Sequence, residues 1–383
     1  MRLRNSLVLL LLLLSFAVAG GCASRVVVPQ PVNLTNNTGD SLGPSMAIDG
    51  EDNVHLVYYD DTLINNDIMY RVNTGNGAWS PETNASHNEG ESFGPKLLAS
   101  PEGNLYLVWQ DDEFSFSYQV LLSSKAPEAD WEDPVIVSLT EFDSLLSTIA
   151  RDSDGAFHVV WTDITPGNWE ILYSSSLDGK NWSTPENISN NEGLSSNPSL
   201  TIDTEDTLHL AWEDDTGGNS DILYTYKRKG DDWSDSENVS RNTGSSTNPR
   251  ILSDAQGNLH LAWNDDTPGN WDIYYASRPR GGLWSKAENV SRTKGASGFP
   301  ALALDSKGTL HLAWHDDTPG NFEVYHTTRP QGKTWAKPVN VSNSKGDSAD
   351  VTMAIDRKDT VHLAWTDNTP GNWDIFYTAL TAK

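Results

Sequence analysis

Three columns of carboxylates recur along this chain at steps of 51 or 52 residues, and clustered carboxylates suit either cation ligation or acid–base work. The first column is Asp60, Asp111, Asp163, Asp214, Asp265, Asp316 and Asp367. The second is Asp61, Asp112, Asp215, Asp266 and Asp317, and the third is Asp67, Glu170, Asp221, Asp272, Glu323 and Asp374. Hard oxygen ligands in this density could hold Ca²⁺, with Asp265, Asp266 and Asp272 as the set to consider, although the spacing is not that of an EF-hand. Because the first column is identical in every copy, a structural role is expected there, an acid at a strand end accepting from turn amides.

Beside these acids stand Trp169, Trp271, Phe322 and Trp373, each preceded by an asparagine (Asn168, Asn270, Asn321, Asn372). An exposed ring stacks on a sugar face while neighbouring amides and acids, such as Asp266 and Asp317, read its hydroxyls. The alternative is that the rings pack on the next repeat. Two copies depart from the pattern: Leu63-Ile64-Asn65-Asn66 and Glu113-Phe114-Ser115-Phe116-Ser117-Tyr118 replace the Pro-Gly-Asn-Trp loop. Phe114 and Phe116 would set apolar groups on an acidic face, a contact patch for a ligand or partner. No Gly-Lys-Ser/Thr phosphate loop, His-Glu-x-x-His or Gly-x-Ser-x-Gly is present, and no catalytic residue is identified.

The repeat supplies the elements that position these groups. A string around Leu-His-Leu-Ala-Trp returns with His55, Tyr106, His158, His209, His260, His311 and His362, spaced 51, 52, 51, 51, 51 and 51. The column Asn33, Asn84, Ile136, Asn187, Asn238, Asn289, Asn340 keeps the same step. The 15 Trp divide between three places. Six end the His strand (Trp109, Trp161, Trp212, Trp263, Trp314, Trp365, with Tyr59 in the first copy), six precede the Asn column (Trp79, Trp131, Trp182, Trp233, Trp284, Trp335), and three lie in the aromatic loops.

Each unit reads as four short strands; in the fifth they are 250–253, 259–264, 272–277 and 284–290. Asp254-Ala255-Gln256-Gly257-Asn258 and Asp265-Asp266-Thr267-Pro268-Gly269-Asn270 are the turns between them. Four-stranded units at this period predict an all-β fold, a seven-bladed β-propeller over 32–383. The last unit lacks its fourth strand and a spare copy, 32–35, precedes the first. Docking the spare on blade seven closes the ring and covers an edge. The His strands are covered on both faces, so their imidazoles should be packed and hydrogen-bonded rather than metal-bound. The four Asn-x-Ser/Thr sites from Asn187 to Asn340 are the repeat column restated.

Ser176-Leu177-Asp178-Gly179-Lys180-Asn181-Trp182 resembles the Asp-box turn of sialidase-type (BNR-repeat) propellers, one residue short. The hairpins ending in Trp284 and Trp335 keep only its Gly and Trp. The resemblance implies the propeller fold, since Asp-boxes are structural in sialidases too. It implies an arginine triad, a Tyr–Glu pair and an acidic Asp for activity, and a Phe/Tyr-Arg-Ile-Pro segment on blade one. Gly43-Pro44-Ser45-Met46 stands where that segment would be. Near the axis, the column Ser45, Lys96, Thr148, Ser199, Arg250, Ala301, Thr352 offers Arg250 and Lys96 as cations and no triad.

Arg2 and Arg4 precede an apolar run from Leu7 to Ala19, the layout of an export signal and too short to span a membrane comfortably. Ala19-Gly20-Gly21-Cys22 resembles a bacterial lipobox, which implies a signal peptide over 1–21, lipid on Cys22 and a tether over 22–31. Ala23 after the cysteine implies the outer membrane or cell surface. Removing 1–21, which carries two Arg and no acid, would take the net charge from -27 to -29. Such a charge repels a phosphate backbone and excludes a nucleic-acid partner, and one cysteine excludes a disulfide framework. The expectation is a monomeric, lipid-anchored envelope propeller binding a glycan or an envelope protein without catalysis or cofactor, Ca²⁺ aside. A divergent glycoside hydrolase and a scaffold subunit of an envelope assembly complex are the alternatives.

Overall fold

The computed structural model describes residues 28–62, 65–75 and 77–381; the leader, Cys22, and Leu63 and Ile64 lie outside them. Among the described residues there are 28 strands and no helix, grouped as seven four-stranded antiparallel sheets. Blade 1 consists of Ser41–Ile48 (strand a), Val54–Asp60 (b), Asp67–Asn73 (c) and Thr83–Asn84 (d). Blades 2 to 6 repeat it. Blade 7 has Ser348–Ile355, Val361–Asp367 and Asp374–Leu380, and Val32–Asn33 pairs with the last of these as its fourth strand. The Leu34 amide donates to the Ile375 carbonyl at 2.7 Å, and Asn33 Nδ2 and Thr35 Oγ1 both donate to the Asp374 carboxylate at 2.7 Å. The expected closure by the N-terminal strand is present.

Two boundaries differ from expectation. In blade 5, strand a begins at Ser246, four residues ahead of Arg250, and strand d is only Glu288–Asn289. Strand a is longer because it tolerates a bulge: its pairing with b skips two residues in every blade. The bulged residue has positive φ in each case: Gly43, Gly94, Leu146, Asn197, Asn248, Phe299, Asp350. Strand d is short because it forms the outer edge, where Trp284 serves packing instead of pairing.

Packing between blades explains the tryptophan columns. Trp109, Trp161, Trp263, Trp314 and Trp365 are fully buried and Trp212 nearly so. At ~200 Å² and ~25 cal/mol/Å², each contributes about 5 kcal/mol of burial. Their counterpart in blade 1 is Tyr58, not Tyr59 as the sequence suggested: Tyr58 is sealed, with its hydroxyl donating to Glu82 at 2.8 Å, while Tyr59 is half-buried. The outer tryptophans meet a tyrosine of the preceding blade edge-on: Tyr70–Trp131, Tyr173–Trp233, Tyr224–Trp284, Tyr275–Trp335 and, across the closure, Tyr377–Trp79 at 5.1 Å.

The same tyrosines bind the histidine column. His260 Nδ1 lies 2.7 Å from the Tyr275 hydroxyl and its Nε2 is 3.4 Å from Asp254, which also accepts the amides of Gln256 and Asn258 in the a–b turn. Burial holds these imidazoles below the ordinary histidine range, against the pull of their aspartates. They are packed struts, as their strand position implied.

Candidate functional site

The b–c and d–a loops share one face of the ring, and all three acidic columns lie on it, bonded to the chain. In blade 5, Asp265 accepts from Asn242 Nδ2, Ser246 Oγ at 3.1 Å, Trp263 Nε1 at 3.0 Å and the Thr267 amide at 2.9 Å. Asp266 Oδ1 accepts the Ser245 amide at 2.6 Å, and Asp317 Oδ1 accepts the Ala296 amide at 2.6 Å. Asp272 accepts from Asn289 Nδ2, Ser291 Oγ and the Thr293 amide. The carboxylates proposed for Ca²⁺ therefore tie each d–a loop to its blade. Among the described residues no group of three or more His, Cys, Asp or Glu side chains is arranged to hold a metal ion.

A glycine completes the second clasp. A Cβ on Gly244 would lie 2.4 Å from Asp266 Oδ1 and 2.6 Å from the Thr267 nitrogen, and Gly39, Gly90, Gly193, Gly295 and Gly346 are equally confined. Only blade 3 lacks the clasp: Phe142 stands at the glycine position and Ile164 at the acid.

Charge also gathers at the axial channel. Lys96, Arg250 and Asp350 come from the inner strands of blades 2, 5 and 7 and act on one another electrostatically. Lys96 is solvent-exposed on the inner strand of blade 2, with its ammonium crowded by the surrounding protein. That burial, and then the Arg250 guanidinium, pulls Lys96 down to about 8, against Asp350. Burial raises the Asp350 carboxyl, opposed by the two cations. Elsewhere in the column, Ser45 and Ser199 turn aside to accept the amides of Leu97 and Ile251 on the next blade, each at 3.1 Å. Arg250 spends one bond on its neighbour's carbonyl, that of Pro249, at 2.7 Å. Arg250 is opposed by the Glu213 carboxylate first and then by Asp350, so two cations and two carboxylates act on one another here, in a chain of net charge -27.

The loop aromatics stand on the acid-bearing face. Trp169, Trp271, Phe322 and Trp373 are each half-buried, and their backbone carbonyls accept the first amide of the next strand a (Ser195, Ser297, Ser348, Ser41) at 2.7–2.8 Å. Phe322 lies over His315 with ring centres 4.9 Å apart, and Phe299 flanks the same imidazole at 5.2 Å. Burial takes His315 down to about 4, against Asp316 and Asp317, and its Nδ1 has no partner among the described residues. Phe114 and Phe116 are exposed on the blade 2 loop.

Two participants were missed in the sequence, and a third, Tyr118, was counted only with the divergent loop of blade 2. Tyr118 occupies the aromatic loop position of blade 2, its carbonyl accepting the Ser144 amide, and is displaced in the count by the one 52-residue step. Asp350 sits in the bulge column, legible only as the residue two before the axial one. Tyr59 reaches over Gly43 toward the mouth, where burial and the Asp350 carboxylate raise its hydroxyl. The Asp-box forms as a turn: Asp178 accepts the amides of Lys180 and Asn181 at 2.8 Å, which hold its carboxyl well below the usual range.

A closed ring of seven such blades is the fold of the sialidase-like propellers. No protein-family model and no curated protein matches the sequence. Among solved structures, the chain is similar to a polysaccharide lyase of family PL25, an ulvan lyase bound to -[GlcA(1-4)Rha3S]- (12% identity, 92% of this chain and 95% of that one, TM-score 0.62). It is also similar to an intramolecular trans-sialidase from Ruminococcus gnavus (12% identity, 93% and 97%, TM-score 0.52). A protein of unknown function from Dyadobacter fermentans matches at 11% identity over 94% and 99%, TM-score 0.60. At these identities the likeness is one of fold.

Proposed function

We propose that this propeller is a non-catalytic binding protein for an acidic glycan, anchored to a bacterial envelope by lipid on Cys22. One observation carries the reading: Lys96 and Arg250 face the axial channel, opposed by Asp350 and, at Arg250, by Glu213, and half-buried aromatic rings stand on the loops of the acid-bearing face. A carboxylate or sulfate group entering the mouth would pair with the ammonium and guanidinium, and the rings would bear on the sugar faces. A glycosidase needs a free pair of carboxylates in a cleft. The acids of the three columns are spent on turn amides and hydroxyls, which speaks for binding over hydrolysis.

The test is a glycan array probed with the purified protein, with and without Ca²⁺, alongside Lys96→Met and Arg250→Met. Binding confined to uronate-, sialate- or sulfate-bearing glycans, weakened at least tenfold in either variant, is the expected result. Affinity should also fall as pH rises through about 8, where Lys96 loses its proton. Equal binding of neutral glycans, or variants with unchanged affinity, would refute the reading. Incorporation of labelled fatty acid, abolished in Cys22→Ser, tests the anchor. An envelope-scaffold role draws support from a separate surface.

A further inference from the structure

The segment leading into blade 3 differs from its six counterparts in four columns at once. Leu139 has φ +47° in a column otherwise filled by Asn36, His87, Asn190, Arg241, Arg292 and Asn343, all of positive φ. Phe142 and Ile164 replace the glycine–acid clasp, and Leu146, φ +54°, takes a bulge position held elsewhere by Gly, Asn, Phe or Asp. A left-handed backbone disfavours leucine, so two strained leucines and one lost clasp are tolerated on a surface where polar residues would fit better.

These residues adjoin the Phe114–Phe116 loop of blade 2. Ser117 Oγ donates to the Glu141 carbonyl and Gln119 Nε2 to the Phe142 carbonyl, both at 3.3 Å, while the Tyr118 amide donates to Asp143 Oδ1 at 2.9 Å. The Leu146 amide is held by Gln110 Oε1 at 2.9 Å. Relative exposures are 113% for Phe116, 63% for Leu139, 54% for Phe142 and 51% for Phe114. The result is an apolar surface on the order of 500 Å², comparable to the largest patch a monomer ordinarily shows. Asp112, Glu113, Glu141 and Asp143 belong to the same segments and make the surroundings acidic, with Asp112, Glu113 and Asp143 accepting the amides of Glu91, Glu89 and Tyr118.

We infer that this surface docks a polypeptide segment whose apolar side chains are flanked by lysine or arginine. Aliphatic Leu139, Leu146 and Ile164 offer a sugar neither a ring face nor a hydroxyl partner. The acidic surroundings repel an anionic lipid surface, and they repel a second copy of a chain with net charge -27. A cationic segment meets both features, and so small an area fits weak, exchangeable binding.

The test uses the variant Leu139→Asn/Phe142→Gly/Ile164→Asp, which restores the residues other blades carry and should therefore fold. Random dodecapeptides displayed on phage are selected on the purified protein, and winners are titrated by fluorescence anisotropy. Expected winners combine Leu or Phe with Lys or Arg, bind at least tenfold more weakly to the triple variant and to Phe114→Ser/Phe116→Ser, and weaken with salt. Acidic winners, equal affinity for the variants or no enrichment over them would overturn the inference. Phosphatidylglycerol vesicles bound through the same residues would overturn it in favour of lipid. Lys96→Met should leave peptide binding intact, which separates this surface from the channel.

Discussion

Replacing Asp265 with alanine tests whether the acidic columns are structural. The substitution removes one acceptor from four donors: Asn242 Nδ2, Ser246 Oγ, Trp263 Nε1 and the Thr267 amide. Ser246, Trp263 and Asp265 are each 0% exposed, so two of the donors are sealed from water, whereas Thr267 is exposed and its amide can be solvated. A sealed donor left unpaired costs ~1–3 kcal/mol, so two of them with the lost charge-assisted bonds give about 3–5 kcal/mol. An unfolding entropy of about 2.1 cal/mol/K per residue makes ~0.7 kcal/mol/K for a ring of this size, so Tm should fall by roughly 4–7 °C. Differential scanning calorimetry of both proteins in millimolar Ca²⁺ and in EDTA measures it. The drop should be the same in the two buffers. A drop below about 1 °C, or one present only with Ca²⁺, would refute the structural reading and restore the metal.

His315, held at about 4 against an ordinary 6.5, binds fewer protons folded than unfolded between those values; stability should rise with pH across that window and be complete above it. The contribution is up to about 3 kcal/mol, and His315→Gln should flatten the slope of Tm against pH; an unchanged slope would exclude His315 as its source. Gly244→Ala drives a methyl into Asp266 Oδ1 and the Thr267 nitrogen, and overpacking of this kind costs ~1–3 kcal/mol, read as a lower urea midpoint; the same midpoint would show the clasp to be slack. Deleting residues 28–35 uncovers the Asp374–Leu380 strand edge, so light scattering should report association that grows with concentration; a monodisperse truncated protein would contradict closure by that strand.

The ring was legible in the sequence because each blade has the same local problem to solve. Alternation of Leu, His and Trp at a fixed step marks a strand buried on both faces, and the count of seven with a displaced fourth strand leaves one way to close. The site was less legible. Trp169, Trp271, Phe322 and Trp373 could be placed on one face, but not assigned between stacking on a ligand and packing on a blade. Phe322 was settled by His315, which lies under it and belongs to no column of aromatics.

What the sequence determined by itself was periodicity: which residues are equivalent, and hence strand order, blade number and the face that gathers the acids. Those follow from contacts within one repeat and its neighbour, which a 51-residue step records. Only the tertiary structure decided which groups meet across the axis. Lys96 and Arg250 share one repeat column, but Asp350 belongs to the bulge column, and Lys96, Arg250 and Asp350 stand 154 and 100 residues apart; closure of the ring brings the three inner strands around one channel. It also decided that the carboxylates are spent, because their donors lie about 20 residues upstream on a loop whose return path is a property of the fold.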